Sequence, residues 1–555
     1  MSPADGGTAV CFSGGGSRAY VAALGQLEGL RSLGLSNRIG HVAGVSGGAW
    51  AAAVHCWASS DYRSPALIGP AELSLPVLDE LASEAPHGAV SRADLVQRFT
   101  RNLARGMPAY EAWRAAVYST ILAPLDIPAS MPLSARRAAA TPYPHLAASV
   151  LGPSEAAPFD TARRSFTGLD FTPRAIRYRG RRRKPDSFPA PSGGRAARTM
   201  REDTPTAARL TLADALAISS YFPAPLLSTR PDGGSAGGGE RSGGESAGAD
   251  ASSTPRFTAP LAGIALRVRR AVGERWRCVV PAEALGGGTG SALSRAERRG
   301  SRFIDGRSID DAIAEDEILL GDGGACENLP LPLLLANVNH PPIKRCLCIF
   351  NVGEELPPTA GAGDAGGGDD ALPFCEDLGA LFGVTAPDAN LNKDLSRAQI
   401  FERRAFAPLV QALQRSASRG SGAVATTSLR TVPNDWWGVA GGREITITWM
   451  YMTRAPKWEE ALPPATRREL PPPRATTINR LGDASRASPL RFVRTLAADA
   501  ARRRKRLDSF PQYPLTRLQL SAVEANALYQ LSGHVVRAHK KELRALFDED
   551  MYEQD

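Results

Sequence analysis

Thr8-Ala9-Val10-Cys11-Phe12-Ser13-Gly14-Gly15-Gly16-Ser17-Arg18-Ala19 and, one helix length later, His41-Val42-Ala43-Gly44-Val45-Ser46-Gly47-Gly48 are the stretches whose reading decides the fold. Thr8–Phe12 is a short, nearly continuous apolar run, the pattern of a buried strand. Gly14–Arg18 is the turn after it. Tyr20–Leu33 places Val21, Leu24, Leu27 and Leu30 on one face, which is helical spacing. A turn at Ser36–Asn37 leads to a second strand near His41–Gly44, and Ala49–Ala58 is small and apolar, as suits a buried helix. Two strand-turn-helix units with short connections specify a parallel sheet, because parallel strands need a crossover and the helix supplies it. The expected class is α/β: a three-layer α/β/α body with a mainly parallel central sheet, a helical cap and disordered Gly-rich insertions.

Ser46 stands in the pattern G-x-S-x-G, with Gly44, Gly47 and Gly48 around it. Between a strand and a helix, these glycines permit a sharp turn that exposes the serine and turns the following N–H groups toward it. Upstream, Gly14-x-Gly16-x-x-Ala19 fits two uses. One is a dinucleotide fingerprint, which needs an acidic residue at the end of the next strand; Ser36–Gly44 has none, and Glu28 falls inside the first helix. The other is an oxyanion hole made by the N–H groups of Gly14, Gly15 and Gly16 at a helix start. Arg18 at the loop's edge could hold a phosphate through its guanidinium, which points to phospholipids over neutral esters.

A serine nucleophile needs a base. The histidines are His41, His55, His87, His145, His340, His534 and His539. His41 and His55 lie on the strand and helix flanking Ser46 and read as packed; His340 sits in a surface loop, Asn339-His340-Pro341-Pro342. Asp322 is the better candidate, since it ends the apolar run Ile318–Leu320 and precedes Gly323-Gly324. A carboxylate there could take the serine proton directly. Asp305, followed by one glycine, is its rival.

The rest of the 555 residues, 43% of them hydrophobic, supply a large core. Residues 60–140 read as a helical cap and 178–206 as a basic, polar insertion. Leu210–Tyr221 reads as an apolar helix; Glu317–Leu320, Arg345–Asn351 and Glu444–Met452 as strands; Ala522–Phe547 as one amphipathic helix. Residues 231–256, 286–300 and 357–370 read as disordered Gly-rich loops. The catalytic core is expected over 8–352, and 376–555 as a part closing the same body. The net charge of +9 is concentrated in Arg177–Arg198 and Arg502–Arg506, of a kind that attracts anionic membrane surfaces; no aromatic interleaving accompanies it, so no nucleic-acid partner is expected. Seven irregularly spaced cysteines form no disulfide framework, and Cys346-x-Cys348 reads as two buried thiols, not as metal ligands. With no signal peptide or apolar span, a cytoplasmic protein, at most peripheral on membranes, is expected. No cofactor and no metal are expected.

These motifs resemble the patatin-like and cytosolic phospholipase A2 superfamily. Ser13–Tyr20 and Gly44–Trp50 are similar to the phospholipase branch, as are Pro142-Tyr143-Pro144 and Asp170-Phe171-Thr172-Pro173. Asp322-Gly323-Gly324 with Glu327-Asn328-Leu329-Pro330 is closer to patatin, and Ser219–Pro225 resembles the stretch before the catalytic Asp in both. The resemblance covers residues 8–352. It implies a Ser–Asp dyad at Ser46 and Asp322, an oxyanion hole at Gly14–Gly16, a phosphate contact at Arg18, and a phospholipid or lysophospholipid substrate cleaved through an acyl-enzyme. Calcium recruitment is not expected, because the first strand begins at residue 8. Two other functions stay open: an esterase or thioesterase acting on soluble esters, and an inactive lipid-binding scaffold.

Overall fold

A computed structural model of the chain describes residues 8–58, 95–135, 142–153, 166–178, 181–184, 191, 210–222, 278–281, 317–336, 343–356, 375–384, 397–471, 507, 509–514 and 517–548. The Gly-rich loops at 231–256, 286–300 and 357–370 lie outside these, as do residues 60–94 of the expected cap, most of the basic insertion, Arg502–Arg506, Asp305, His87 and His340.

The strands are β1 (Thr8–Phe12), β2 (Ile39–Val45), β3 (Tyr143–Pro153), β4 (Thr167–Phe171), β5 (Ile176–Tyr178), β6 (Arg181–Arg183), β7 (Val279–Pro281), β8 (Glu317–Asp322), β9 (Arg345–Phe350), β10 (Ala423–Arg430) and β11 (Glu444–Tyr451). Among the described residues they form one sheet in the order β10-β11-β9-β1-β2-β3-β4-β5-β6, with β8 also paired to β3 and β7 to β8. The five central strands, β11-β9-β1-β2-β3, are parallel, and antiparallel pairs extend both margins. Helices cover both faces, so the α/β class holds. β1 and β2 are buried at every position, which explains why their apolar runs do not alternate.

The helices are α1 (Gly16–Ser32), α2 (Gly47–Trp57), α3 (Leu95–Ala104), α4 (Ala109–Val117), α5 (Leu212–Ser219), α6 (Leu331–Leu335), α7 (Glu376–Ala380), α8 (Phe406–Ser418), α9 (Pro456–Ala461), α10 (Pro464–Glu469), α11 (Ala522–Ala538) and α12 (Lys540–Phe547). No helix among the described residues is long and apolar enough to cross a membrane. The described part of the expected cap is helical, and its α4 belongs to the core. Trp113 packs at a tilt with its ring centroid 6.4 Å from that of Trp50 of α2 and donates its indole N–H to Ser220 Oγ at 3.2 Å. Arg114 pairs with Asp214, the residue that closes a capping box with Thr211 at the start of α5.

Two readings need correction. The basic insertion begins as sheet: β5 and β6 form an antiparallel hairpin at the margin, so Arg181–Arg183 is an edge strand. Arg177, counted among the membrane-facing charges, is only 12% exposed and faces Asp170 at 3.8 Å. The C-terminal segment is two helices, because the backbone turns at His539 (φ −105°, ψ 33°). α11 packs closely along α1: Gly25 and Gly29, one turn apart, bring α1 against Tyr529 and Val536 with no room for a side chain. α11 thus covers the first helix.

Candidate active site

β2 and β8 lie on the same edge of β3 and run toward each other. Val45, the last residue of β2, pairs with Ala147; Asp322, the last residue of β8, pairs with Ala148. Both partners face β4 on their other side. The two strand ends therefore meet, and Ser46 follows directly on β2. Its Oγ donates a hydrogen bond to Asp322 Oδ2 at 3.1 Å. Asp322 is held by a second bond, as Oδ1 accepts from Gly324 N–H at 2.8 Å. Both residues are 8% exposed. Shielding from water strengthens the interaction between the hydroxyl and the carboxylate.

Ser46 has φ +53° and ψ −123°, a backbone conformation that a side chain rarely adopts. The surroundings hold it there. Its N–H donates to Ser219 Oγ at 3.1 Å, and Ser219 Oγ in turn donates to the Ala147 carbonyl at 2.5 Å. The end of α5 thereby ties the elbow to β3. Gly47 is required by close approach, since a Cβ there would overlap the Gly16 carbonyl oxygen. That contact also brings together the first turns of α1 and α2, so two helix N-termini converge beside Ser46. Their N–H groups have no partner within the helices and favour negative charge.

The glycine loop is divided in its duties. Gly15 caps α1 with φ +139°, and Gly16, its first residue, has φ +58°. Their N–H groups stand at the start of α1, where a helix leaves its first donors without partners of its own. Gly14 was expected to be a third, but its N–H donates to the Asn328 carbonyl at 3.0 Å. Its contribution is absence of bulk: a Cβ there would stand 3.2 Å from Ser46 Cβ and overlap the Asn328 carboxamide oxygen.

Arg18 has structural partners that the sequence did not announce. It is 5% exposed; its Nε donates to the Asn351 carbonyl at 3.0 Å and its Nη1 to the Tyr513 carbonyl. Nε and Nη1 tie α1 to the ends of β9 and the C-terminal segment, while Nη2 lies beside the glycine loop, 2.8 Å from where a Cβ on Gly15 would stand. Ser17 does the same on a smaller scale, donating to the Leu518 carbonyl.

No histidine among the described residues hydrogen-bonds to Ser46. His145 Nδ1 donates to Asp170 Oδ2 at 2.9 Å, and its Nε2 shares a hydrogen bond with His41 Nδ1 at 3.2 Å, all inside the sheet. Burial pushes the His55 imidazole down to about 4. His534 and His539 lie at the C-terminal end of α11, where His539 Nδ1 stands 2.9 Å from the Val535 carbonyl oxygen. Cys346 and Cys348 are buried and Cys11 joins them; Cys346 Sγ lies 3.7 Å from Cys11 Sγ and 3.5 Å from Cys348 Sγ, a spacing that three ligands of one metal ion would also have.

No protein-family model matches this chain, and no curated protein matches it. Among solved structures it is similar to human GIVD cytosolic phospholipase A2, at 15% identity and a TM-score of 0.47, over 98% of this chain and 62% of that one. The same human enzyme in complex with methyl gamma-linolenyl fluorophosphonate matches at 13% identity and a TM-score of 0.43, over 98% of this chain and 59% of the other. The chain thus spans about three fifths of the length of these structures.

Two residues of the site were not singled out from the sequence. Ser219 and Asn328 each lie within a stretch that resembles the family, so a signal existed. What it did not convey is that one braces the elbow and the other the glycine loop.

Proposed function

We propose that the chain is a serine acyl hydrolase that cleaves fatty-acyl esters of phospholipids or lysophospholipids. The observation that carries this reading is the 3.1 Å hydrogen bond from Ser46 Oγ to Asp322 Oδ2 at a strained strand-to-helix turn. Ser46 Oγ attacks the ester carbonyl while its proton passes to Asp322. The N–H groups of Gly15, Gly16 and Gly47 face the negative oxygen that forms; loss of one such donor typically costs about 3 kcal/mol of transition-state stabilisation. The protonated Asp322 then returns the proton to the leaving alcohol. An acyl-Ser46 remains, and water releases the fatty acid.

The lipid part of this reading rests on the motif resemblance. The burial of Arg18 and its two carbonyl contacts favour a second reading, an esterase on substrates without a phosphate. Fatty-acid release from phosphatidylcholine and lysophosphatidylcholine micelles, measured beside hydrolysis of a soluble p-nitrophenyl ester, separates them. The phospholipase reading expects release from the micelles at least about 10-fold faster per enzyme than from the monomeric ester. The reverse preference would establish the esterase. In the same assays Arg18→Lys, which breaks up the carbonyl contacts, should lower the unfolding midpoint and reduce both activities in proportion. A selective loss on phosphate-bearing substrates with unchanged stability would restore Arg18 to the phosphate.

A further inference from the structure

Asn328 places beside the dyad a hydrogen-bond acceptor that meets no donor among the described residues. Its Nδ2 donates to Asp377 Oδ2 at 2.9 Å, and Asp377 is buried at the start of α7. A carboxylate only accepts, so the amide nitrogen must face Asp377 and the carboxamide oxygen must face the other way. That oxygen lies over the α-carbon of Gly14, on the side where Ser46 Cβ also packs. It reaches Gly324 as well: a Cβ on Gly324 would stand 3.2 Å from both Asn328 Oδ1 and Asp322 Oδ1. The nucleophile, the base and the Asn328 oxygen thus surround one small space. An acceptor there repels an oxyanion, so Asn328 is no part of the oxyanion hole. It suits a species that carries O–H bonds.

Resting on the hydrolase reading, we propose that Asn328 orients the water that frees the acyl group from Ser46. With Ser46 acylated, Asp322 Oδ2 has lost its hydroxyl partner. A water that donates one O–H to Asp322 and the other to Asn328 Oδ1 presents a lone pair to the acyl carbonyl. Its oxygen bonds to the carbonyl carbon and its proton passes to Asp322. The bond from carbon to Ser46 Oγ then breaks, Oγ regains that proton, and the fatty acid leaves.

Asn328→Ala removes the oxygen and keeps the backbone carbonyl that holds Gly14. Stopped-flow hydrolysis of a p-nitrophenyl ester separates acylation from deacylation, and the rate of fluorophosphonate labelling reports the state of the elbow. The expected result is labelling and acylation within about three-fold of wild type, deacylation slowed by about 10- to 100-fold, and an acyl-enzyme that accumulates in the mass spectrum. Deacylation at the wild-type rate would overturn the proposal, as would an equal fall in labelling, acylation and deacylation, the mark of a purely structural role. Wild-type protein that takes up no label at Ser46 would instead sink the hydrolase reading itself.

Discussion

Asp322→Asn is expected to lower turnover by about 10⁴-fold while leaving the protein folded. The two side chains are nearly the same shape, and the amide oxygen can still accept the Gly324 N–H that Oδ1 accepts now. What the amide loses is the capacity to take a proton from Ser46 Oγ. In a triad the carboxylate sits behind a histidine and only orients it. Here no described histidine stands between the carboxylate and the serine, so the whole proton transfer depends on one residue. Steady-state turnover beside the thermal unfolding midpoint checks this. A loss of less than about 10-fold at an unchanged midpoint would show that another base acts.

Gly47→Ala is expected to reduce turnover by at least about 100-fold and to lower stability by about 1–3 kcal/mol. The added methyl group would overlap the Gly16 carbonyl oxygen, which is backbone and cannot rotate away. Either the elbow or the glycine loop must shift, and each carries half of the site. A displacement of an ångström at reacting atoms suffices for a loss of that size. Denaturant unfolding and the rate of fluorophosphonate labelling measure the two effects. A variant as stable and as quickly labelled as wild type would mean that the loop and the elbow are not in contact.

The first four elements were legible because they are local: glycines mark the ends of β1 and β2, and helical spacing marks α1. Asp322 was legible for the same reason, as a carboxylate between an apolar run and two glycines. The hairpin β5–β6 was not. Arg177 and Arg181–Arg183 read as part of a basic run facing an anionic surface, whereas Asp170, which faces Arg177, comes from the neighbouring strand of the folded sheet. The break at His539 carries no glycine or proline to announce it. Arg18 shows the limit most clearly. Its position beside the glycine loop was correct, but its partners, the carbonyls of Asn351 and Tyr513, come from distant parts of the chain, and backbone carbonyls leave no trace in side-chain identity. Gly14 is a parallel case, with its N–H taken by the carbonyl of Asn328.

The central claim is that Ser46 is a nucleophile activated by its contact with Asp322. Mass mapping of the adduct formed with a fluorophosphonate probe tests it most directly. The account predicts a single adduct on Ser46 in the wild-type chain, none in Ser46→Ala, and strongly slowed labelling in Asp322→Asn. Labelling of Ser46→Ala at the wild-type rate, or an adduct on another residue, would contradict it.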